Sequence, residues 1–206
     1  MCFSERVSWL TLTASWSGCA MLALTRKPEL QALAAFLAVV GAMQLCEAML
    51  WRHPECSETH GQISSIGAVV NHLEPFVLWC ASVWLLKPKS AAWERAAALV
   101  VLAYCLLFSG ITAEFLTRPL ERRCARVTPN GLVWQWNDTS ATYMAFLATL
   151  LITTYAYMPA GLDVAMCGAI GGTFAVSYGM YRSKAMVGSM WCFFAAFLPW
   201  LVYIFY

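Results

Sequence analysis

Seven apolar runs separated by short polar connections dominate the hydropathy pattern of this 206-residue chain, at roughly 7–24, 30–51, 63–86, 96–117, 140–158, 162–181 and 187–206. A bilayer core about 30 Å thick takes about 20 residues of helix to cross, so each run is read as a transmembrane helix. The expected fold class is all-α: a single integral membrane domain over 1–206, with seven transmembrane helices and one short β-hairpin loop. The hairpin is expected in the 118–139 connection, where Pro129-Asn130-Gly131 supplies a tight turn between alternating flanks. Trp134 and Trp136, two residues apart, then point to one face, either as an anchor on the membrane interface or as a lid over a cavity.

Composition agrees, with 61% hydrophobic and 12% charged residues. Polar and aromatic residues in the first run (Ser8, Trp9, Thr11, Thr13, Ser15, Trp16) favour a retained helix over a cleaved secretory signal. A dispersed net charge of +2 and the lack of a Gly-rich phosphate loop speak against nucleic acid or nucleotide as partner. The expected partners are the lipid bilayer and a small ion or solute, with a homo-oligomer or larger membrane complex left open. Gly168 and Gly172 form a small-xxx-small pair, read as a close helix contact.

Seven spans put the two termini on opposite sides. The amino terminus and the 52–62, 118–139 and 182–186 loops share one side, here side A; the 25–29, 87–95 and 159–161 connections share side B. Side A carries Arg6, Arg52, Arg118, Arg122, Arg123, Arg126, Arg182 and Lys184, and side B carries Arg26, Lys27, Lys87, Lys89 and Arg95. Total charge thus points to a cytoplasmic side A, whereas the flanks of the first helix and the Asn137-Asp138-Thr139 sequon point outward. The expectation adopted is an integral, multi-pass protein with its amino terminus outside.

Ionisable residues inside spans are costly and mark candidate sites. Glu47 lies in the second run with Gln44 and Trp51 on its face; Asn71 and Glu74 share a face of the third, where Pro75 follows and His72 projects the other way with Phe76 and Trp79; Glu114 ends the fourth, four residues before Arg118. Convergence of Glu47, Glu74, Glu114 and His72 in the side A half would create a transport or binding site for a proton, small cation or polar solute. The competing reading makes Glu47 or Glu74 a hydrogen-bonded register device, and Glu114 the ion-pair partner of Arg118. A second candidate is a zinc or copper site from His53, Cys56 and His60 with Cys2, all on side A. Cys56 has an alternative use, a disulfide to Cys124, which requires an oxidising side A.

Met1-Cys2-Phe3-Ser4 with Ser8, the stretch from Gly41 through Gln44 and Glu47 to Trp51, and Glu74-Pro75 through Trp79 together resemble an uncharacterised family of small multi-pass membrane proteins of bacteria and large algal viruses. The resemblance covers about the first 90 residues and implies that Cys2, Gln44, Glu47 and Trp51 belong to one shared motif. It implies no activity. The absence of a lysine in 187–206 excludes a retinal pigment, and His72 as the lone histidine inside a span disfavours a zinc-dependent membrane hydrolase. Three functions therefore stand: passage or binding of a small cation, proton or polar solute; a metal-dependent or redox enzyme built on Cys2, His72 and a carboxylate; and a non-catalytic packing subunit. A non-enzyme is expected.

Overall fold

A computed structural model describes residues 4–128, 131–136, 140–180 and 186–206. Cys2, the Pro129-Asn130 half of the turn, the 137–139 sequon, Arg182 and Lys184 lie outside the described residues. Helices occupy every apolar run: α1 Glu5–Leu24, α2 Pro28–Arg52, α3 Glu58–Leu85, α4 Ala91–Thr117, α5 Leu120–Arg123, α6 Ser140–Tyr157, α7 Leu162–Met180, α8 Val187–Ala195 and α9 Leu198–Phe205. Five segments are long and apolar enough to cross a membrane, namely α1, α2, α3, α4 and the α8–α9 pair over Val187–Phe205. The last run is thus broken between Ala195 and Leu198, where Pro199 enters the first turn of α9 and cannot donate a backbone bond backwards.

Serine sets three of the helix starts. Ser4, Ser57 and Ser90 accept from the backbone N–H groups of Val7, His60 and Trp93, each at 3.3 Å, satisfying donors that a helix start leaves open. The third helix therefore begins five residues before its apolar run and takes His60 out of the loop into its first turn. It continues unbroken through Pro75.

The helix α2 is central, packed against α1, α3, α8 and α9. It meets α1 along a seam of small and polar residues, where Ser8, Thr11, Ser15 and Gly18 are all buried and recur at helical spacing. Gly41 completes that seam: a Cβ there would lie 2.5 Å from Ser15 Oγ and 3.1 Å from Trp16 Cδ1. Gly41→Val is expected to cost about 1–3 kcal/mol by overpacking, measured by detergent-induced unfolding in mixed micelles. Gly168→Val is the control, because a Cβ at Gly168 meets no atom within 4 Å among the described residues. The close contact expected from Gly168 and Gly172 is therefore corrected; among the described residues Gly18, Gly41, Gly61 and Gly67 are the glycines that let neighbouring elements approach closely. The outermost helix, α4, buries a single stripe of Ala97, Val101, Tyr104, Phe108 and Phe115 and leaves Leu99, Leu102 and Leu106 facing outward.

Between α4 and α6 the chain forms the short helix α5 and a two-stranded antiparallel hairpin, β1 Arg126–Thr128 and β2 Gly131–Val133, with Val127 opposite Leu132. Gly131 adopts φ 130°, a conformation that L side chains resist, and Thr128 Oγ1 closes the turn by donating to the Gly131 carbonyl at 2.7 Å. The membrane-interface anchor expected of the tryptophans is corrected. Trp134 and Trp136 are 2% and 4% exposed, with their rings inside the bundle and 5.4 Å apart.

Candidate functional site

The polar interior falls into two places rather than one. On the α1–α2 seam, Gln44 is fully buried and its Oε1 accepts from Thr11 Oγ1 at 2.6 Å; Glu47, three residues further along α2, is fully buried as well. Thr11 also donates toward the Val7 and Ser8 carbonyls of its own helix, so its hydroxyl is shared between helix backbone and neighbouring side chain. Gln44 is thereby tied to the first helix, a partner that the face shared with Glu47 did not suggest.

The second place is the middle of α3. This helix has 28 residues, so Asn71, His72 and Glu74 stand close to its midpoint. Glu74 has no exposed surface, and neither carboxylate oxygen has a hydrogen-bond partner among the described residues. Tyr104 of α4 lies within electrostatic reach of it. Asn71 is nearly buried and borders a void of about 10 Å³ together with Tyr143, Phe146, Phe174 and Trp191. Trp191 is itself packed edge-on against Phe146 at 5.5 Å.

The expected convergence of three carboxylates and an imidazole is corrected in two respects. Glu114 is exposed and makes a two-pronged ion pair with Arg118, Oε1 to Nε at 2.9 Å and Oε2 to Nη2 at 3.0 Å. One helical turn separates the two residues, so the pair forms locally at the C-terminal end of α4 and holds Glu114 away from the interior. His72 leaves the opposite face from Glu74 and enters an aromatic setting of Phe108 and Trp136, at ring distances of 4.6 and 5.2 Å. Its Nδ1 is 2.7 Å from Thr112 Oγ1.

Nor do the metal candidates assemble. Cys56 is bonded to Cys124, which removes the thiolate that zinc or copper would take. His60 is buried, with Nδ1 2.6 Å from the His53 carbonyl and Nε2 2.8 Å from the Ala125 carbonyl, so neither nitrogen is open to a metal. The His53 side chain is exposed. Among the described residues no group of three His, Cys, Asp or Glu is placed to hold a metal ion. What this constellation does is fasten two side A segments: the disulfide and His60 both join the α2–α3 connection to the chain just before the hairpin.

That fastening seats a plug. Trp134 donates from Nε1 to Ser189 Oγ at 2.8 Å, and its ring lies so close to α3 that a Cβ on Gly67 would be 2.9 Å from Trp134 Cη2 and Cζ3. The alternating flanks and the Asn-Gly turn predict a hairpin, but no spacing rule identifies Gly67 and Ser189 as its receptors.

Compared with known proteins, the chain matches no family model, no curated protein and no solved structure. The functional reading therefore rests on residues alone. The larger grooves in the described surface, about 310 to 550 Å³, are lined by neither Glu47 nor Glu74. A lysine ties the α3–α4 connection to the start of α7: Lys89 pairs with Asp163, whose Oδ1 accepts from the Gly161 and Val164 backbone N–H groups at 2.9 and 2.7 Å, while the Lys89 ammonium stands 3.9 Å over the Tyr155 ring. This cluster was not singled out from the sequence; a loop lysine and an acid at a helix start two loops away carry no spacing signal.

Proposed function

We propose that the chain is a seven-span membrane protein that binds, and passes between the two sides, a proton or small cation, with Glu74 as the central group and Glu47, Gln44 and Asn71 as the accessory polar groups. The observation that carries this reading is the Glu74 carboxyl, fully buried at mid-helix with no hydrogen-bond partner among the described residues. An uncompensated charge there is costly, and a proton or small cation arriving at the carboxyl removes that cost. In this reading α6 and α7, with 18 and 19 residues, cross as well, at about 27–29 Å each for a rise of 1.5 Å per residue.

The Cys56–Cys124 bond supports an external side A. Disulfides persist in oxidising compartments, and the free cysteines among the described residues, Cys19, Cys46, Cys80, Cys105, Cys167 and Cys192, all lie within helices. The amino terminus, on the same side by parity, is then external.

Proton uptake into proteoliposomes, followed across external pH at matched protein content, tests the reading. Wild type is expected to show a pH-dependent flux that Glu74→Gln and Glu47→Gln each abolish, because an amide keeps the shape but cannot ionise. Identical profiles in all three proteins would remove both carboxylates and favour a packing subunit. One observation already points that way, namely that the larger grooves bypass both residues.

A further inference from the structure

Glu74 stands about 24 Å from the start of α3 and about 16 Å from its end at 1.5 Å per residue, fully buried and without a bond to either carboxylate oxygen among the described residues. Two groups near it are also short of a partner. Tyr104, on the buried stripe of α4, lies within electrostatic reach of Glu74, and its hydroxyl is buried with no hydrogen-bond partner among the described residues. The Tyr104 ring is 6.3 Å from that of Phe146, which borders the void beside Asn71, and this ties the tyrosine to the face of α3 that carries Asn71 and Glu74. The second group is a backbone carbonyl. Pro75 has no N–H to return to the Asn71 carbonyl four residues earlier, so that acceptor loses its helical donor within one turn of Glu74.

These two groups suit different states of one carboxyl. A phenol donates, and a hydrogen bond to a carboxylate is roughly twice as strong as one between neutral groups. A carbonyl only accepts, so it can bond Glu74 only while the carboxyl carries a proton. No resident cation competes for the carboxylate at this depth. Of the helices packed against α3, α2 brings Cys46 opposite Gly67, about two turns from Glu74, with Glu47 next to it, and α4 brings Tyr104 and Cys105. The titratable groups of α6 are Tyr143, Tyr155 and Tyr157, and α5, with Glu121, Arg122 and Arg123, meets α3 near Gly61. The arginines of α2 and α4, Arg52 and Arg95, stand near helix ends. None of the grooves and voids described above is lined by Glu74, and the void beside Asn71, about 10 Å³, is the size of a single water. A hydrated metal ion has no room there. A proton needs none.

We propose that the ion taken up by Glu74 is the proton, and that the carboxyl alternates between the Tyr104 hydroxyl when ionised and the Asn71 main-chain carbonyl when protonated. One O–H bond forms or breaks, at the carboxyl, and the proton is exchanged with water. This rests on the reading of Glu74 as the central group and narrows the ion it takes.

The test is an infrared titration of the protein in phosphatidylcholine nanodiscs, where the carboxyl C=O stretch that is lost in Glu74→Gln reports protonated Glu74. At equal ionic strength its midpoint should be the same in sodium, potassium and choline chloride. Tyr104→Phe removes the donor that favours the ionised form, so the midpoint should rise by about one pH unit; Pro75→Ala returns a donor to the Asn71 carbonyl, so it should fall by about as much. A merely loosened core would move both variants the same way. A midpoint that falls when sodium or potassium replaces choline would make a metal ion the ligand and overturn the proton assignment. Variants that shift together or not at all, or a carboxyl band that never titrates, would overturn the pair of partners. Since no flux is read, a Glu74 that titrates as expected in a protein without proton uptake keeps the exchange and removes the passage.

Discussion

Trp134→Ala is expected to lower the unfolding free energy by about 3–5 kcal/mol, the range for deleting a fully buried large aromatic side chain. The ring is held on two sides, by its Nε1 bond to Ser189 at 2.8 Å and by the bare backbone of α3 at Gly67, so the bundle has little freedom to collapse into the space left behind. Trp134→Phe keeps much of the ring and loses the bond, and should cost less than the alanine variant. Ser189→Ala, which removes the acceptor, should cost at least the share of this bond, about 1 kcal/mol for a neutral hydrogen bond. Detergent unfolding in mixed micelles measures all three. An alanine variant within about 0.5 kcal/mol of wild type, the scatter of ordinary surface substitutions, would place the tryptophan outside the core.

The second large effect concerns the disulfide. Cys56 and Cys124 close a loop of 68 residues, with their Cα atoms 5.7 Å apart, and on the chain-entropy model a loop of that size contributes about 4 kcal/mol. The double variant Cys56→Ala with Cys124→Ala should lose that amount, and reduced wild type should match it. His60 joins the same segments through the His53 and Ala125 carbonyls, so the variant is expected to stay folded with the hairpin docked. The same bond reads out orientation. After mild reduction of intact cells, a membrane-impermeant maleimide added outside should label Cys56, which is exposed, and labelling only after lysis would put side A in the cytosol.

How much of this was legible beforehand differs by element. The helices were, because burial in lipid demands runs of apolar residues long enough to satisfy every backbone group internally, and that demand is written residue by residue. The hairpin was also legible, since Asn-Gly between alternating flanks is a local conformational preference. Its destination was not. An amphipathic tryptophan suits an interface and a core equally well, and only the cavity formed by Gly67 on α3 and Ser189 on α8 makes the core the better place.

The candidate site divides along the same line. That Glu47, Glu74, Asn71 and His72 are unusual follows from composition alone, because a polar group in a span is costly wherever it points. Helical spacing also places His72 and Glu74 on different faces, and the four-residue separation of Glu114 from Arg118 permits their ion pair. Spacing within one helix cannot reveal what faces it from another. Thr11 as the partner of Gln44, Tyr104 as the neighbour of Glu74, and His60 against the Ala125 carbonyl bring together residues 30 to 65 positions apart. The sequence by itself determined which segments are apolar helices and which polar residues are out of place in them, since both follow from transfer free energies that each residue carries on its own. Only the tertiary structure decided which of those residues meet, because that depends on how helices rotate and pack against one another, and small residues such as Gly41 and Gly67 set that packing through contacts with no local signature.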